Sequence, residues 1–213
     1  MRLLHAFSGG IDSTSVLLQL AEMGHQITTL HVDLRGPKST RWQAERIAVH
    51  NILNWLGKRG TPLVHIDCGV TQLSGKWFDI EVVALHMGNH LRAEPAFVGT
   101  SDSSSGYDMS RTSSGMERRV ANRKAITEML AGRPLEWIAP NVSKSREQVV
   151  AELPPEVLRM TNFCRTPKVW FGGYSACGTC LTCKSTRLRR ALGAGLGSSG
   201  AERQRGELHK AGS

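Results

Sequence analysis

Two groups of residues in this sequence are suited to chemistry. The first is the run Phe7-Ser8-Gly9-Gly10-Ile11-Asp12-Ser13-Thr14. Paired glycines let the backbone turn sharply and approach a ligand closely. A helix starting directly after such a turn aims its free N–H groups and positive dipole end back at it. Ser8, Ser13 and Thr14 add hydroxyl donors, so the whole is an anion site suited to phosphate. No Gly-Lys-Ser/Thr closes the turn, so it is not a Walker loop. The plainer reading is a capped turn with Asp12 or Ser13 at the N-cap.

The second group is Cys164, Cys177, Cys180 and Cys183, four of the five cysteines. Two-residue gaps let the last three thiolates converge on one ion, and Cys164 arrives from upstream. Four soft ligands with no open position make a structural, tetrahedral zinc site. Metal binding would then contribute to folding of the segment. An iron–sulfur cluster takes the same ligands. A redox dithiol leaves two cysteines unexplained. Lys184, Arg187, Arg189 and Arg190 would offset the negative charge of the tetrathiolate. Cys68 stands alone after a strand and reads as a small buried hydrophobe. Gly195, Gly197 and Gly200 match a dinucleotide spacing, but no strand precedes them and no helix with an acidic partner follows, so the match is compositional.

The elements that must position these groups follow from hydrophobic periodicity. Arg2 to Phe7 reads as a buried strand running into the glycine turn. Val16, Leu17, Leu18, Leu20 and Met23 then recur at helical spacing until Gly24. Gln26 to Val32 is a second strand closed by Asp33, Thr40 to Lys58 a helix, and Leu63 to Ile66 a third strand. Gln72 to Arg92 has no firm period. Ala96 to Gly99 reads as a strand, and Asp102 to Gly115 as a polar functional loop. Met116 to Leu130 reads as a helix, Leu135 to Ala139 as a strand, and Ser145 to Leu153 as a helix stopped by Pro154 and Pro155. Such alternation predicts an α/β fold, a Rossmann-like parallel sheet of about five strands with helices on both faces. The expected organisation is a catalytic domain over residues 1–158, a zinc-binding segment over 159–190 and a flexible basic tail over 191–213.

The 213 residues suffice for one domain, and 40% hydrophobic content argues against global disorder. No apolar run is long enough to cross a bilayer, and the first ten residues lack the pattern of a secretory signal. A reducing cytosol is therefore the expected setting, where clustered cysteines hold metal or do chemistry. The formal charge is +9, and seven Lys/Arg against Glu202 and Glu207 lie between Lys184 and Ser213. That end reads as a solvated basic face or as attraction to polyanions such as ATP, RNA or DNA. It carries no aromatic platform for stacking bases.

The pattern Ser-Gly-Gly-x-Asp-Ser resembles the PP-loop of the N-type ATP pyrophosphatases. That class cleaves ATP between the α and β phosphates, the loop gripping pyrophosphate while AMP goes to the substrate. With the Cys…Cys-Gly-x-Cys-x-x-Cys segment it resembles the QueC family, the 7-cyano-7-deazaguanine synthases. Gly99-Thr-Ser-Asp102 through Gly106-Tyr107-Asp108-Met-Ser-Arg111 is similar to that family's Gly-…-Asp-x-Ser-Gly-Tyr-Pro-Asp-Cys-Arg stretch, without the Pro and with Met-Ser for Cys. Met160-Thr-Asn-Phe-Cys164 is similar to its Thr-x-(Ser/Thr)-Cys-Tyr. The resemblance runs from Arg2 to Arg190. Departures are Asp33-Leu34-Arg35-Gly36-Pro37 where the family has Tyr-Gly-Gln, and His86-Met87-Gly88-Asn89 where it has Pro-x-Arg-Asn. The stretch from Asp67 to Ala96 is short.

The resemblance implies a ligase that converts 7-carboxy-7-deazaguanine and ammonia to the nitrile preQ0 with ATP, in queuosine synthesis or in 7-deazaguanine modification of DNA. It implies ATP contacts from Phe7, Ser8, Gly9, Gly10, Ile11, Asp12, Ser13, Thr14, Ser15, Val16 and Leu17. Catalytic roles fall to Asp12, Ser13 and Lys144, with Asp12 also facing Mg2+. Arg146 is an equal candidate for a phosphate, and a solvated helix start is the plain alternative for it and Lys144. Asp102, Tyr107, Asp108 and Arg111 would form the deazaguanine pocket or its lid; their alternative is a polar surface loop. Expected cofactors are ATP, Mg2+ and one structural Zn2+. A homodimer is expected, with nucleic acid not required, in the cytoplasm (the host's, for a viral member). Competing readings are an enzyme stopping at the amide, a tRNA-modifying thiolase or lysine ligase of the same class, and a zinc-ribbon nucleic-acid binder without turnover.

Overall fold

The computed structural model describes residues 1–36, 39–72, 79–104, 115–171, 173–180 and 182–183. Tyr107, Asp108, Arg111 and the basic tail lie outside these residues. Five strands form the main sheet: β1 (Arg2–Ala6), β2 (Gln26–Arg35), β3 (Leu63–Gln72), β4 (Gly99–Ser101) and β5 (Glu136–Ile138). Their order is β3-β2-β1-β4-β5, and every pairing is parallel. The helices are α1 (Ile11–Glu22), α2 (Arg41–Lys58), α3 (Asp79–Ala93), α4 (Gly115–Ala131), α5 (Arg146–Ala151) and α6 (Pro155–Met160). A small antiparallel hairpin, β6 (Lys168–Trp170) and β7 (Gly173–Ser175), follows among the cysteines.

Alternation along β1 divides the core in two. Leu3 faces a cluster with Leu17 and Leu20 of α1, Ile52 and Leu56 of α2, Val149 of α5 and Val157 of α6. Leu4 faces the opposite cluster, with Leu30 of β2, Met87 and Leu91 of α3, Phe97 from the connection before β4, and Ala131 of α4. The sheet is thus covered on both faces, as the strand–helix alternation predicted. Full burial of each such leucine contributes about 1.5–3 kcal/mol. Among the described residues no helix is long and apolar enough to cross a membrane.

Several boundaries differ from the sequence reading, each for a local reason. β2 runs on past Asp33 to Arg35, and β3 past Ile66 to Gln72, the two remaining paired after a register shift between His31 and Asp33. β3 is an edge strand with exposed positions throughout, so it carries little apolar signal. β4 is Gly99–Ser101 instead of Ala96–Gly99; it is wholly buried between β1 and β5 but built of small and hydroxyl residues. α3 was not read at all, because its buried stripe includes Ala84 and Gly88. Gly88 lies at the contact with α4, where an added Cβ would come within 2.6 Å of Leu130 Cβ. The helix expected to run to Leu153 already ends at Ala151, ahead of both prolines, and Pro155 opens the next, α6, from its first turn. Cys68 lies inside β3, half-buried against the second cluster, rather than beyond the strand.

Candidate functional site

The connections from β1 and from β3 leave the sheet in opposite directions, so strand order reverses between β1 and β4. The carboxyl ends of strands flanking such a point open a crevice. Here the crevice is a cleft of about 330 Å3 that meets a smaller recess of about 140 Å3. Ser8, Gly10, Asp12, Arg41, Glu45 and Arg165 border both.

The glycine turn forms their floor. Gly9 has φ +68, and a Cβ there would lie 2.8 Å from Ala48 Cβ and 2.9 Å from Val49 N on α2. Only glycine fits both the conformation and the space. Gly10 is the N-cap of α1, and the cap makes no side-chain hydrogen bond. The cap is therefore neither Asp12 nor Ser13. The Ser8 and Ser13 hydroxyls lie 3.1 Å apart, the Gly10 N–H donates to Ser8 Oγ and Ser13 Oγ–H to the Gly10 carbonyl. The opening of α1 is thus held by loop hydroxyls that can turn to an incoming anion.

His5 braces this turn from beneath. It is fully buried, with Nε2 2.9 Å from the Ser13 carbonyl and Nδ1 beside the Ser101 hydroxyl of β4. A carbonyl only accepts, so Nε2 carries the proton and Ser101 donates to Nδ1. Burial pushes the imidazole down to about 4, so it stays neutral at physiological pH.

Charged groups ring the cleft. Arg146 pairs with Asp12 across its mouth. Arg41 binds Glu45 at 2.7 Å and Asp79 at 3.0 Å. Burial raises the Asp79 carboxyl, but Arg41 outweighs it and the net shift is downward. Glu45 is 6% exposed. Burial there wins over Arg41, and its carboxyl titrates above the usual range. Arg123, from α4, lines the larger cleft and forms a buried ion pair with Asp102 at 2.6 Å. Asp102 also accepts the Ser104 N–H, so despite burial its carboxyl is shifted down. Arg41, Arg119, Arg123, Arg146 and Arg165 together give a cationic rim suited to a polyanion.

The expected residues divide accordingly. Phe7, Ser8, Gly10, Ile11, Asp12 and Ser13 border the cleft or the recess. Val16 and Leu17 lie in the core, Thr14 is fully buried, and Ser15 donates to Asn141 Oδ1. Asp102 does not line the cleft; it holds Arg123, which does. Lys144, expected beside a phosphate, lines neither cavity. Its Nζ donates to Gln19 at 2.8 Å and Glu152 at 2.6 Å. The cation that reaches the loop is Arg146, in the first turn of α5, where Ser145 and Gln148 form a capping box. Sequence reasoning missed Arg41, Glu45, Asp79, Arg123 and Arg165. The one available signal was the Arg41/Glu45 pair at i,i+4 near the start of an otherwise apolar-faced helix.

The four cysteines meet beside the recess. Their Sγ atoms all lie within 4.8 Å of one another, with Cys164–Cys180 and Cys177–Cys183 both at 4.0 Å. Four sulfurs each about 2.3 Å from one ion stand about 3.8 Å apart, so the set fits a single tetrahedral ion. Backbone N–H groups already point at sulfur: Cys177 N to Cys164 Sγ at 3.2 Å and Cys180 N to Cys177 Sγ at 3.3 Å. The Thr166 and Thr179 hydroxyls also donate to Cys177, which lowers its thiol to about 5. These bonds favour the thiolate at Cys177, whereas burial pushes the Cys164 and Cys183 thiols up.

No protein-family model matches the sequence, and no curated protein does. Solved structures resemble it in fold. The chain is similar to the U34-tRNA thiolase NcsA of Methanococcus maripaludis, a structure with a [4Fe-4S] cluster (14% identity, 91% of this chain and 67% of that one, TM-score 0.49). It is also similar to a predicted tRNA methyltransferase subunit from Methanocaldococcus jannaschii (16% identity, 70% of this chain and 72% of that one, TM-score 0.40). A third is the NMN synthetase of Francisella tularensis (12% identity, 73% of this chain and 63% of that one, TM-score 0.39). Identities this low say nothing about chemistry.

Proposed function

We propose that the chain is an ATP-dependent enzyme of the PP-loop type that activates a carboxylate by adenylation. The observation that carries this is the Ser8–Thr14 turn. It opens α1 at the point where strand order reverses, under a rim of arginines. The motif supplies the resemblance, and the cleft supplies room and charge for a nucleotide.

In this reading the loop seats the polyphosphate of ATP, and Ser8, Ser13 and the first-turn N–H groups of α1 bind its oxygens. Asp12 is the loop carboxylate suited to magnesium, which when bound neutralises phosphate charge. A phosphate entering the cleft would compete with Asp12 for Arg146, and Asp12 would be the loop carboxylate that holds magnesium. Arg123, fixed by Asp102, presents a guanidinium to an acidic substrate in the larger cleft.

The acid we propose is 7-carboxy-7-deazaguanine, with ammonia as the nitrogen donor, as the QueC resemblance implies. A carboxylate is a poor electrophile because its leaving group would be oxide. Adenylation supplies AMP as leaving group, ammonia attacks, and an amide forms. A second activation of the amide oxygen permits loss of AMP to give the nitrile. The protein's part is to hold the reactants in line. Zinc is the ion we assign to the four thiolates, on the single-ion spacing of their sulfurs.

Mass spectrometry of products from ATP, ammonium and 7-carboxy-7-deazaguanine tests the substrate. Nitrile is expected; amide alone would mark an enzyme that stops half-way, and unreacted acid would remove this substrate.

A further inference from the structure

The segment joining α6 to the first cysteine belongs to both sites. The Asn162 N–H donates to the Gly9 carbonyl at 2.9 Å, pinning it to the glycine turn. Asn162 Oδ1 accepts the Cys164 N–H at 3.2 Å, and Cys164 is a member of the sulfur cluster. Asn162 is 5% exposed and lines the smaller recess. Its Nδ2 is buried with no hydrogen-bond partner among the described residues. A buried amide N–H2 without an acceptor is costly, and an anion in the recess would supply one.

The rest of the recess has the same bias. Gly10 and Asp12 at the start of α1 form one side, Arg146 another, and Asn162, Phe163, Cys164 and Arg165 the far wall. Arg41 borders it too. Arg165 is 60% exposed at its side chain, and its one ion pair among the described residues is a 3.7 Å contact to Asp79. At about 140 Å3 the recess suits a group of diphosphate size, not a whole nucleotide.

We propose that Asn162 and Arg165, with Arg146 and the first turn of α1, form a diphosphate recess whose far wall is held in place by the four-cysteine metal site. Metal occupancy and polyphosphate binding therefore support each other. The proposal rests on the reading that the Ser8–Thr14 turn seats polyphosphate, and adds that the cysteine segment completes the seat. The physical link is short: Asn162 contacts the turn, Cys164 belongs to the sulfur cluster, and one residue, Phe163, lies between them. A shared ion would tie the four sulfurs, which lie within 4.8 Å of one another, into one unit. Loss of the ion would move Cys164 and with it Asn162 and Arg165. By linkage, a bound diphosphate must then tighten the cluster.

The test uses the metal-loaded full chain in magnesium buffer. Inorganic pyrophosphate and ATP are titrated calorimetrically into the parent protein, Arg165→Gln, Asn162→Ala and, as a surface control, Lys168→Gln. The expected result is about a tenfold or greater loss of pyrophosphate affinity in the first two variants at unchanged metal content, and less than about a twofold change in the control. In parallel, the rate at which a disulfide reagent modifies the cluster thiols is followed with and without pyrophosphate. Pyrophosphate should slow it several-fold in the parent and not in Arg165→Gln. Arg165→Gln and Asn162→Ala titrating like Lys168→Gln would overturn the proposal, as would thiol rates indifferent to pyrophosphate. If neither ATP nor pyrophosphate bound the parent, the polyphosphate reading itself would fall.

Discussion

His5 and Gly9 lie under the same turn and fail in different ways when changed. An Ala at position 9 would meet Ala48 Cβ at 2.8 Å with φ held at +68. Gly9→Ala is expected to cost about 1–3 kcal/mol in denaturant unfolding and to weaken ATP binding, since the turn moves with α2. His5 titrates at about 4 in the folded chain against 6.5 unfolded. The unfolded state therefore takes up a proton that the native state refuses. Stability from this residue is full above pH 6.5, falls as pH drops towards 4, and levels below, a loss of about 3 kcal/mol in all. Unfolding free energies of His5→Gln measured over that range should show a flatter pH dependence than the parent; parallel curves would contradict the account. Asp12→Ala should abolish turnover while leaving metal content unchanged, because Asp12 faces Arg146 and not the cysteines. At this scale the sequence displayed what is contiguous, the Ser-Gly-Gly turn and the Cys-x-x-Cys-x-x-Cys run. It did not display Arg41, Arg123 or Arg165, whose meaning comes only when α2, α4 and the cysteine segment converge. Lys144 and Arg146 were indistinguishable in sequence; the capping box at Ser145 turns one to Glu152 and the other to Asp12.

Elements with an apolar stripe were legible, and those buried through small residues were not. β1 and α2 fell within a residue of their observed bounds because Leu, Ile and Val mark their inward faces, whereas α1 starts at Ile11, inside the run read as a turn and ahead of its first periodic residue, Val16. α3 failed because its face against α4 includes Gly88, the residue type that reads as a break. Gly88→Ala would bring a Cβ to 2.9 Å from the Thr127 carbonyl as well as to Leu130. We expect it to lower stability by about 1–3 kcal/mol, read by thermal or denaturant unfolding, with ATP affinity changed little. The β6–β7 hairpin also went unread, since three-residue strands beside cysteines have no period to detect. Its Tyr174 hydroxyl donates to the Met160 carbonyl at 2.6 Å and ties the hairpin to the end of α6. Cys180→Ser should lower metal content and melting temperature together. Metal analysis and a thermal melt showing both unchanged would remove the metal from the account.

On the scale of the molecule, strand–helix alternation announces a parallel sheet, and right-handed crossovers restrict its topology. What alternation does not announce is the strand order, which sets the crevice between β1 and β4 and so decides which loops face one another. The net charge of +9 is partly explained by the arginines at the cleft, while the basic tail lies outside the described residues. The central claim is that this crevice is where ATP is split between its α and β phosphates to activate an acid. The most direct measurement is the nucleotide product formed with the acid and ammonium present. AMP and pyrophosphate, appearing only when the acid is supplied and lost in Asp12→Ala, are predicted. ADP with orthophosphate, or no consumption of ATP by the metal-loaded protein, would contradict it.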